Sequence, residues 1–413
     1  MRCACWWGAK RRGSFMTPDM VRGARRKESS MGEWTVRAFA PGRTELAGNH
    51  MDHQGGRVVS AAVTQGTEAL ARPNGLGVAR VHSTGYLSFE IPLSDDADFE
   101  PRLDEAGTSA GLVRGMAAGL RSAGVVVPGF DAQVSTTLPP GGGLSSSASF
   151  EMAVGRVMEA LAGAEPLPPL QMAAIGAKAE QEFFGKPCGL QDQSAIACGG
   201  ISLLDFKDPT HPTAEPIDFD FHAHGIAVVL IDTRCDHSQF NADFAKLVND
   251  MFAAADYFGA QRMDQVPEAT YIGKIRDVAR KLGDDVALRG FHYYNELHLV
   301  DLRVAALRTG DVEAYLQATR RSAVSSAQYL QNVAVAGSAQ QPAMMALALA
   351  DRLLDGRGAV RIHGGGFGGT IQAYVPLPAL DSFVDGIESV LGRGVCNVVE
   401  INPRGAWAEH LQG

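Results

Sequence analysis

Apolar and polar positions along the chain fall into two periods that alternate with loops. Residues 34–40 alternate apolar and polar, and residues 58–71, 78–82 and 87–91 are apolar runs divided by glycine-containing turns such as Pro73-Asn74-Gly75. Period-two or unbroken apolar runs of this length predict strands. Further strands are predicted over 130–136, 201–206, 226–232 and 370–375. Apolar residues recurring every three or four positions predict helices over 110–122, 150–162, 171–184, 242–254, 270–281, 291–309, 312–320 and 342–354. Gly163 is suited to close the 150–162 helix, and the prolines of 166–169 prevent its continuation. The acids of the DVEAYL segment at 311–316 suit a helix N-terminus. The first strand is expected to end at Pro41-Gly42, and the proline- and acid-rich stretch 208–220 to mark a domain boundary.

Four loops do not fit either period. The first, PPGGGLSSSASFE at 139–151, places three glycines and three serines before an apolar run. Glycine lets backbone N–H groups approach an anion, and the first N–H groups of a helix have no intrahelical partner, so such a turn can cradle phosphate. Ser145, Ser146 and Ser147 add hydroxyls for phosphate or a magnesium ion. The Lys of GxxxxGK[ST] is missing, and a flexible linker has the same composition. The second loop, GRTELAGNHMDHQGG at 42–56, gathers Arg43, Glu45, Asn49, His50, Asp52 and His53. That density of donors and acceptors suits a polyhydroxylated ligand, whose isomers differ by which buried group is left unmatched. A metal site built on His50, Asp52 and His53, or a solvated loop, are the other readings of these residues.

The third loop, GKPCGLQDQSAIACGG at 185–200, sets Asp192 among small and apolar residues, either as a cap or as a working carboxylate. Cys188 has only Lys186 nearby to activate it and reads as a small buried residue. The fourth, AVRIHGGGFGG at 359–369, satisfies GxGxxG through Gly364, Gly366 and Gly369. A strand-like TIQAYV follows where a dinucleotide fold needs a helix, so a tight glycine loop supporting a ligand or another loop is the better reading.

Composition narrows the function classes. A chain of 413 residues is long enough for two domains at about 150 residues each. A net charge of −9 argues against general nucleic-acid binding. The six cysteines show no CxxC pair or zinc spacing, which suits a reducing cytoplasm, and no run reaches the length of a membrane span. Residues 1–30 carry eight Arg and Lys against Asp19 and Glu28 and read as a disordered basic extension. CACWWGA is too short for a secretory core, and translation starting at Met31 is an alternative account of this segment.

Taken as a set, GRTELAGNHMDH, PPGGGLSSSASFE, PCGLQDQ and HGGGFGGT resemble the motifs of the GHMP superfamily of small-molecule kinases, and within it the galactokinase family, from about Trp34 to the C-terminus. The resemblance implies an α+β two-domain architecture. An N-terminal ribosomal protein S5 domain 2-like α/β domain over 31–215 would meet a C-terminal ferredoxin-like α+β domain over 216–413, with the active site in the cleft between them. It implies an ATP- and Mg2+-dependent kinase acting on a monosaccharide hydroxyl, galactose to galactose 1-phosphate, as a cytoplasmic monomer without nucleic-acid or membrane partners. A kinase for a different sugar or small alcohol, or a non-catalytic sensor of ATP and sugar, would share the motifs.

By position, the resemblance makes Asp192 the catalytic carboxylate and Arg43 the partner that holds it ionised. Gly141, Gly142, Gly143, Leu144, Ser145, Ser146 and Ser147 would hold the ATP phosphates, with Ser147 and Glu180 at the metal. His50 and Asp52 would hold the sugar with Glu45, Asn49 and Phe244, and Gly364, Gly365, Gly366, Phe367 and Gly368 would form the third motif. Asn49 stands where the family usually has Glu, Glu45 where it often has Asn, and Phe244 where a sugar-contacting Tyr is expected, which rearranges the charge of the sugar loop.

Overall fold

The structure is a computed structural model that describes residues 33–139, 141–186, 188–235 and 240–412. The basic extension and the alternative start at Met31 lie outside the described residues. In chain order the first part holds strands β1 (Val36–Ala47), β2 (Arg57–Pro73), β3 (Val78–Ser83) and β4 (Phe89–Pro92), helix α1 (Ser109–Ser122) and strand β5 (Phe130–Thr136). Helices α2 (Ser146–Leu161), α3 (Pro169–Lys178) and α4 (Gln191–Cys198) follow, then strands β6 (Ile201–Asp205) and β7 (Thr213–Ile217). The remainder holds β8 (Ile226–Asp232), α5 (Asn241–Asp256), α6 (Glu268–Leu282), α7 (Asp284–Thr309), α8 (Val312–Ser325), α9 (Pro342–Leu354), β9 (Ala359–Ile362), β10 (Thr370–Pro376), α10 (Leu380–Leu391), β11 (Cys396–Val399) and β12 (Trp407–His410).

Two sheets organise these elements. The larger runs β12-β1-β2-β5-β3-β4, and the long β2 also pairs with β6, which carries β7. The smaller runs β11-β8-β10-β9, antiparallel throughout. The chain passes from one sheet to the other between Ile217 and Ile226, and its last strand, β12, returns to pair with β1.

Burial explains which apolar patterns were decisive. Strand β8 reads as an unbroken apolar run because both of its faces are covered. Ala227, Val229 and Ile231 pack with Ala343, Ala346 and Ala350 of α9 and with Phe383 and Ile387 of α10. Ile226, Val228 and Leu230 pack with Val59, Ala61 and Val63 of β2 and with Val300 and Tyr315 of α7 and α8. One face of a single strand thus joins the two sheets. Helices α1, α2 and α3 cover the larger sheet through Val113, Met116, Leu120, Met152, Val157 and Met172.

Several boundaries depart from the sequence pattern, α7 among them, which begins at Asp284 where 291 was expected. Strand β1 continues through Pro41-Gly42 to Ala47, with register shifts between Pro41 and Gly42 and between Glu45 and Ala47. A bulge accommodates a residue without an N–H, so proline bends the strand without ending it. Strand β7 lies inside the stretch read as a boundary. Helix α2 starts at Ser146, four residues before the apolar period, because its first turn is polar. The end of 171–184 is a π-helical turn, Ala179–Phe184, closed by Gly185 in the left-handed region. At 311 the expected helix start holds: Asp311 accepts from the Ala314 N–H at 3.0 Å.

Gly42 marks the closest approach of β1 to the phosphate loop. A Cβ there would lie 2.6 Å from Leu138 Cδ2 and 2.9 Å from the Leu144 carbonyl oxygen. Gly42→Ala should destabilise the protein by about 1–3 kcal/mol through overpacking; urea unfolding with an unchanged midpoint would disprove that reading of the contact.

Candidate functional site

The glycine loop gives way to α2 at Ser145, whose φ of 55° puts a non-glycine residue in the left-handed region. Its hydroxyl does not cap the helix. Instead Ser145 Oγ donates to Asp192 Oδ2, across from α4. The first N–H groups of α2 therefore stay open toward the space in front of the loop, the arrangement that receives anions.

Arg43 reaches the same place from β1. Its backbone N–H donates to the Leu144 carbonyl at 3.1 Å. Its guanidinium donates from Nη1 to the Gly143 carbonyl at 2.6 Å and from Nε to Asp192 Oδ1 at 2.7 Å. Asp192 is thus held on both oxygens. Burial alone would raise its pKa, but the Arg43 charge and hydrogen bond, the Ser145 hydroxyl and the Lys186 charge outweigh that and hold it below the usual carboxylate range. It is a half-buried, ionised carboxylate.

Behind α2 lies a second carboxylate cluster. Ser147 Oγ donates to Glu180 Oε1 at 2.9 Å, and Lys186 Nζ to the same oxygen at 2.8 Å. Gln193 Nε2 bridges Glu180 Oε2 at 2.9 Å and Glu151 Oε2 at 3.1 Å. Burial, with the neighbouring Glu180 charge, raises the Glu151 pKa well above the usual carboxylate range. Ser147 and Glu180 offer one hydroxyl and one carboxylate side by side. That donor set fits magnesium arriving with a nucleotide, since magnesium takes few protein ligands and completes its shell with phosphate and water. Among the described residues no group of three or more His, Cys, Asp or Glu side chains could hold a metal on its own, so His50, Asp52 and His53 do not form such a site.

The polar loop after β1 faces the cavity from the other side. His50, at φ 61°, packs 5.3 Å from the Phe244 ring. Its Nε2–H donates to the Gly365 carbonyl at 3.2 Å, which leaves Nδ1 to accept from His53 Nε2 at 3.4 Å; His53 Nδ1 then accepts from Gln54 Nε2 at 3.1 Å. Burial lowers His50 to about 4 and His53 to about 3, so both rings are neutral. Asp52 behaves oppositely. Burial, then the Asp192 charge, raises it to about 7.

One cavity of about 410 Å3 collects most of the candidates. Arg43, Glu45, His50, Asp52, Phe244 and Asp192 line it, as do Gly141–Ser147 and Gly364–Gly368. Two candidates lie behind its wall. Glu180 is reached through Ser147. Asn49 is fully buried, donating to the Gly364 carbonyl at 2.8 Å and to Glu45 Oε1 at 3.3 Å, and accepting from Asn332 Nδ2 at 2.9 Å. Asn49 ties the third motif to the polar loop and does not face the cavity.

Sequence reasoning passed over Arg361 and His363. Arg361, fully buried, pairs with Glu45, and the His363 ring lines the cavity beside the phosphate loop. Their signal was present: two polar residues spaced by two in an otherwise apolar strand point to one face.

Both halves of the cavity correspond to known families. Residues 111–200, which hold the phosphate loop, Glu180 and Asp192, match the GHMP kinases N terminal domain, and residues 28–73, which hold Arg43 through His53, match the galactokinase galactose-binding signature. A galactokinase of Streptomyces lividans is 30% identical over 354 residues, which is 84% of this chain and 83% of that protein. The chain belongs to the galactokinase family. A second galactokinase, from Streptomyces coelicolor, is 29% identical over 84% of this chain and 87% of its own length. Lactococcus lactis galactokinase complexed with galactose shares the fold, with a TM-score of 0.78, 22% identity, and coverage of 94% of this chain and 98% of that one. The α+β GHMP kinase fold expected from the motifs is the fold observed. Among the described residues, no helix is long and apolar enough to cross a membrane.

The charge pattern of this galactokinase-family cavity is open to direct measurement. In carbon-detected titration, Asp52 should titrate near 7. Asp192→Asn should move it down, because a lost negative neighbour favours the ionised form, while burial keeps it above the ordinary aspartate value. An Asp52 carboxyl titrating near 4 in the unmodified protein would refute this account.

Proposed function

We propose that the protein is an ATP-dependent galactokinase that transfers the γ-phosphoryl group of ATP to the anomeric hydroxyl of galactose, yielding galactose 1-phosphate and ADP. The observation that carries this reading is the bridge from Arg43 to Asp192 to Ser145, where an ionised carboxylate meets an anion-receiving loop at one end of a polar cavity. Phosphoryl transfer asks the protein mainly to position reactants and to offset charge on the transferred group.

In this reading the loop from Gly141 to Ser147, with the open N–H groups of α2, holds the phosphates. Glu45, His50, Asp52 and Phe244 surround the sugar, with Asn49 bracing Glu45 from behind. Ser147 and Glu180 would hold magnesium, which supplies positive charge to the phosphates when bound. The sugar hydroxyl points at Asp192. As its oxygen bonds to phosphorus and the bridging oxygen leaves with ADP, its proton passes to Asp192. A carboxylate this acidic orients the hydroxyl in the ground state and takes the proton only as the new bond forms. Arg43 holds Asp192 in place and faces the charge that develops on the phosphoryl oxygens.

The two domains are assigned to 31–215 and 216–413, with the last strand returning to the first sheet, and the protein is taken to act as a cytoplasmic monomer. A coupled ADP-release assay over a panel of monosaccharides should show turnover with galactose. Tight binding of ATP and sugar with no ADP release from any of them would replace this reading with that of a sensor. Asp192→Asn should lower kcat by roughly 1,000-fold while galactose affinity changes less than about threefold; near-normal turnover would remove Asp192 from the reaction.

A further inference from the structure

His363 follows β9 and stands immediately before the glycine triplet, and its ring is held on one side only. The Glu45 backbone N–H donates to Nε2 at 3.2 Å. A backbone amide can only donate, so Nε2 is the bare nitrogen and the proton of the neutral ring sits on Nδ1. Thr44 Oγ1, 3.0 Å away, agrees: it accepts from Gln372 Nε2 at 2.8 Å and so turns its own hydrogen to Nε2.

The other nitrogen has no partner. His363 is 4% exposed, yet Nδ1 is a buried polar atom without a hydrogen bond. Buried donors are nearly always paired, so an unpaired one in a ring that lines a cavity points to a partner supplied by a ligand. Its direction is given by Gly143: a Cβ on that residue would lie 3.0 Å from Nδ1 and 3.1 Å from Thr370 Oγ1. Nδ1–H therefore lies against the phosphate loop, beside the residue whose carbonyl receives Arg43. The neutral state is secured by the surroundings, since burial and then the charges of Arg43 and Arg361 hold the ring pKa well below its usual value.

We propose that His363 is a catalytic hydrogen-bond donor, giving its Nδ1–H to a phosphoryl oxygen of the bound nucleotide at the phosphate loop. The assignment rests on the kinase reading above. Arg43 supplies a full positive charge to that region, and His363 adds a fixed dipole beside it. A neutral donor that is already oriented costs no reorganisation when charge builds on the phosphoryl oxygens.

Two amide substitutions separate the nitrogens. In His363→Asn the amide falls at the δ position and can replace Nδ1–H; in His363→Gln it falls at the ε position and can replace only the Nε2 tie to Glu45. Turnover of ATP with galactose should stay within about fivefold of normal in the Asn variant and fall roughly 100-fold in kcat in the Gln variant, with KM for galactose unchanged in both. The reverse order, or equal loss in two folded variants, would show that His363 acts only as a strut between Glu45 and the third motif. A readout independent of turnover comes from protein labelled with 15N-histidine. The His363 ring should show a protonated Nδ1 in the free protein, and that resonance should shift when a non-hydrolysable ATP analogue binds. An unmoved resonance overturns the proposal even if the sugar were not galactose, whereas absent turnover with galactose and a shifted resonance would overturn only the choice of sugar.

Discussion

The Arg43–Asp192 ion pair is the contact on which the rest of the cavity depends. Its partners come from β1 and from the first turn of α4, 149 residues apart in sequence, and Arg43 also grips the Gly143 carbonyl of the phosphate loop. Three segments with no local reason to meet are thereby fixed around one guanidinium. The pair is also what allows a carboxylate to stay charged in a half-closed site. Burial pushes Asp192 toward the neutral form, and the same burial succeeds in doing so for Asp52 a short distance away. Asp52 lacks an arginine and rises to about 7; Asp192 has one and is lowered. Two carboxyls in one cavity are set to opposite tasks by a single cation.

Three of the six non-glycine residues with positive φ among the described residues share this geography. His50, Ser145 and Phe367 are non-glycine residues with positive φ, one in each of the polar, phosphate and third-motif loops. Such conformations cost of order 1 kcal/mol or more each and persist only where surroundings over-determine them. Here the surroundings are visible. Ser145 is fixed by Asp192, His50 by the Gly365 carbonyl and the His53 ring, and Phe367 by the bond from its N–H to the Asn332 carbonyl at 2.6 Å. Each strained residue is held by a partner from a different loop, so the loops keep one another in shape.

That dependence also explains how far the chain could be read from its sequence. Elements with a long uniform period, such as the 226–232 strand and the 342–354 helix, were legible to the residue, because burial on two faces or one stripe leaves its period in the sequence. Helix α4 was not, because its eight residues are small and mixed in polarity, and what makes it a helix is its packing on α3 and on the phosphate-loop helix. The glycine loop, Arg43 and Asp192 could be named as candidates from residue type and motif. Their mutual bonding could not, since no local pattern records a contact across 149 positions. Asn49 was expected beside the sugar for its chemistry and lies behind the wall, where Gly364 and Glu45 take its amide hydrogens and Asn332 and Ser326 donate to its oxygen.

The displaced charge of the polar loop has a structural consequence of its own. Glu45 does not stand free in the cavity; Arg361, fully buried on β9, bonds both its carboxylate and, at 3.1 Å, its backbone carbonyl. Separating a buried pair leaves an uncompensated charge, which is strongly unfavourable. The smaller sheet is therefore fastened to the larger one by an ion pair at the rim of the sugar-facing wall. His363 sits two residues further on and takes the Glu45 N–H on its Nε2. One residue of the first sheet thus locates Arg361 on β9 and His363 just beyond it. Because the carboxylate of Glu45 is engaged by Arg361 and its N–H by His363, any motion that opened the cleft here would break both contacts at once.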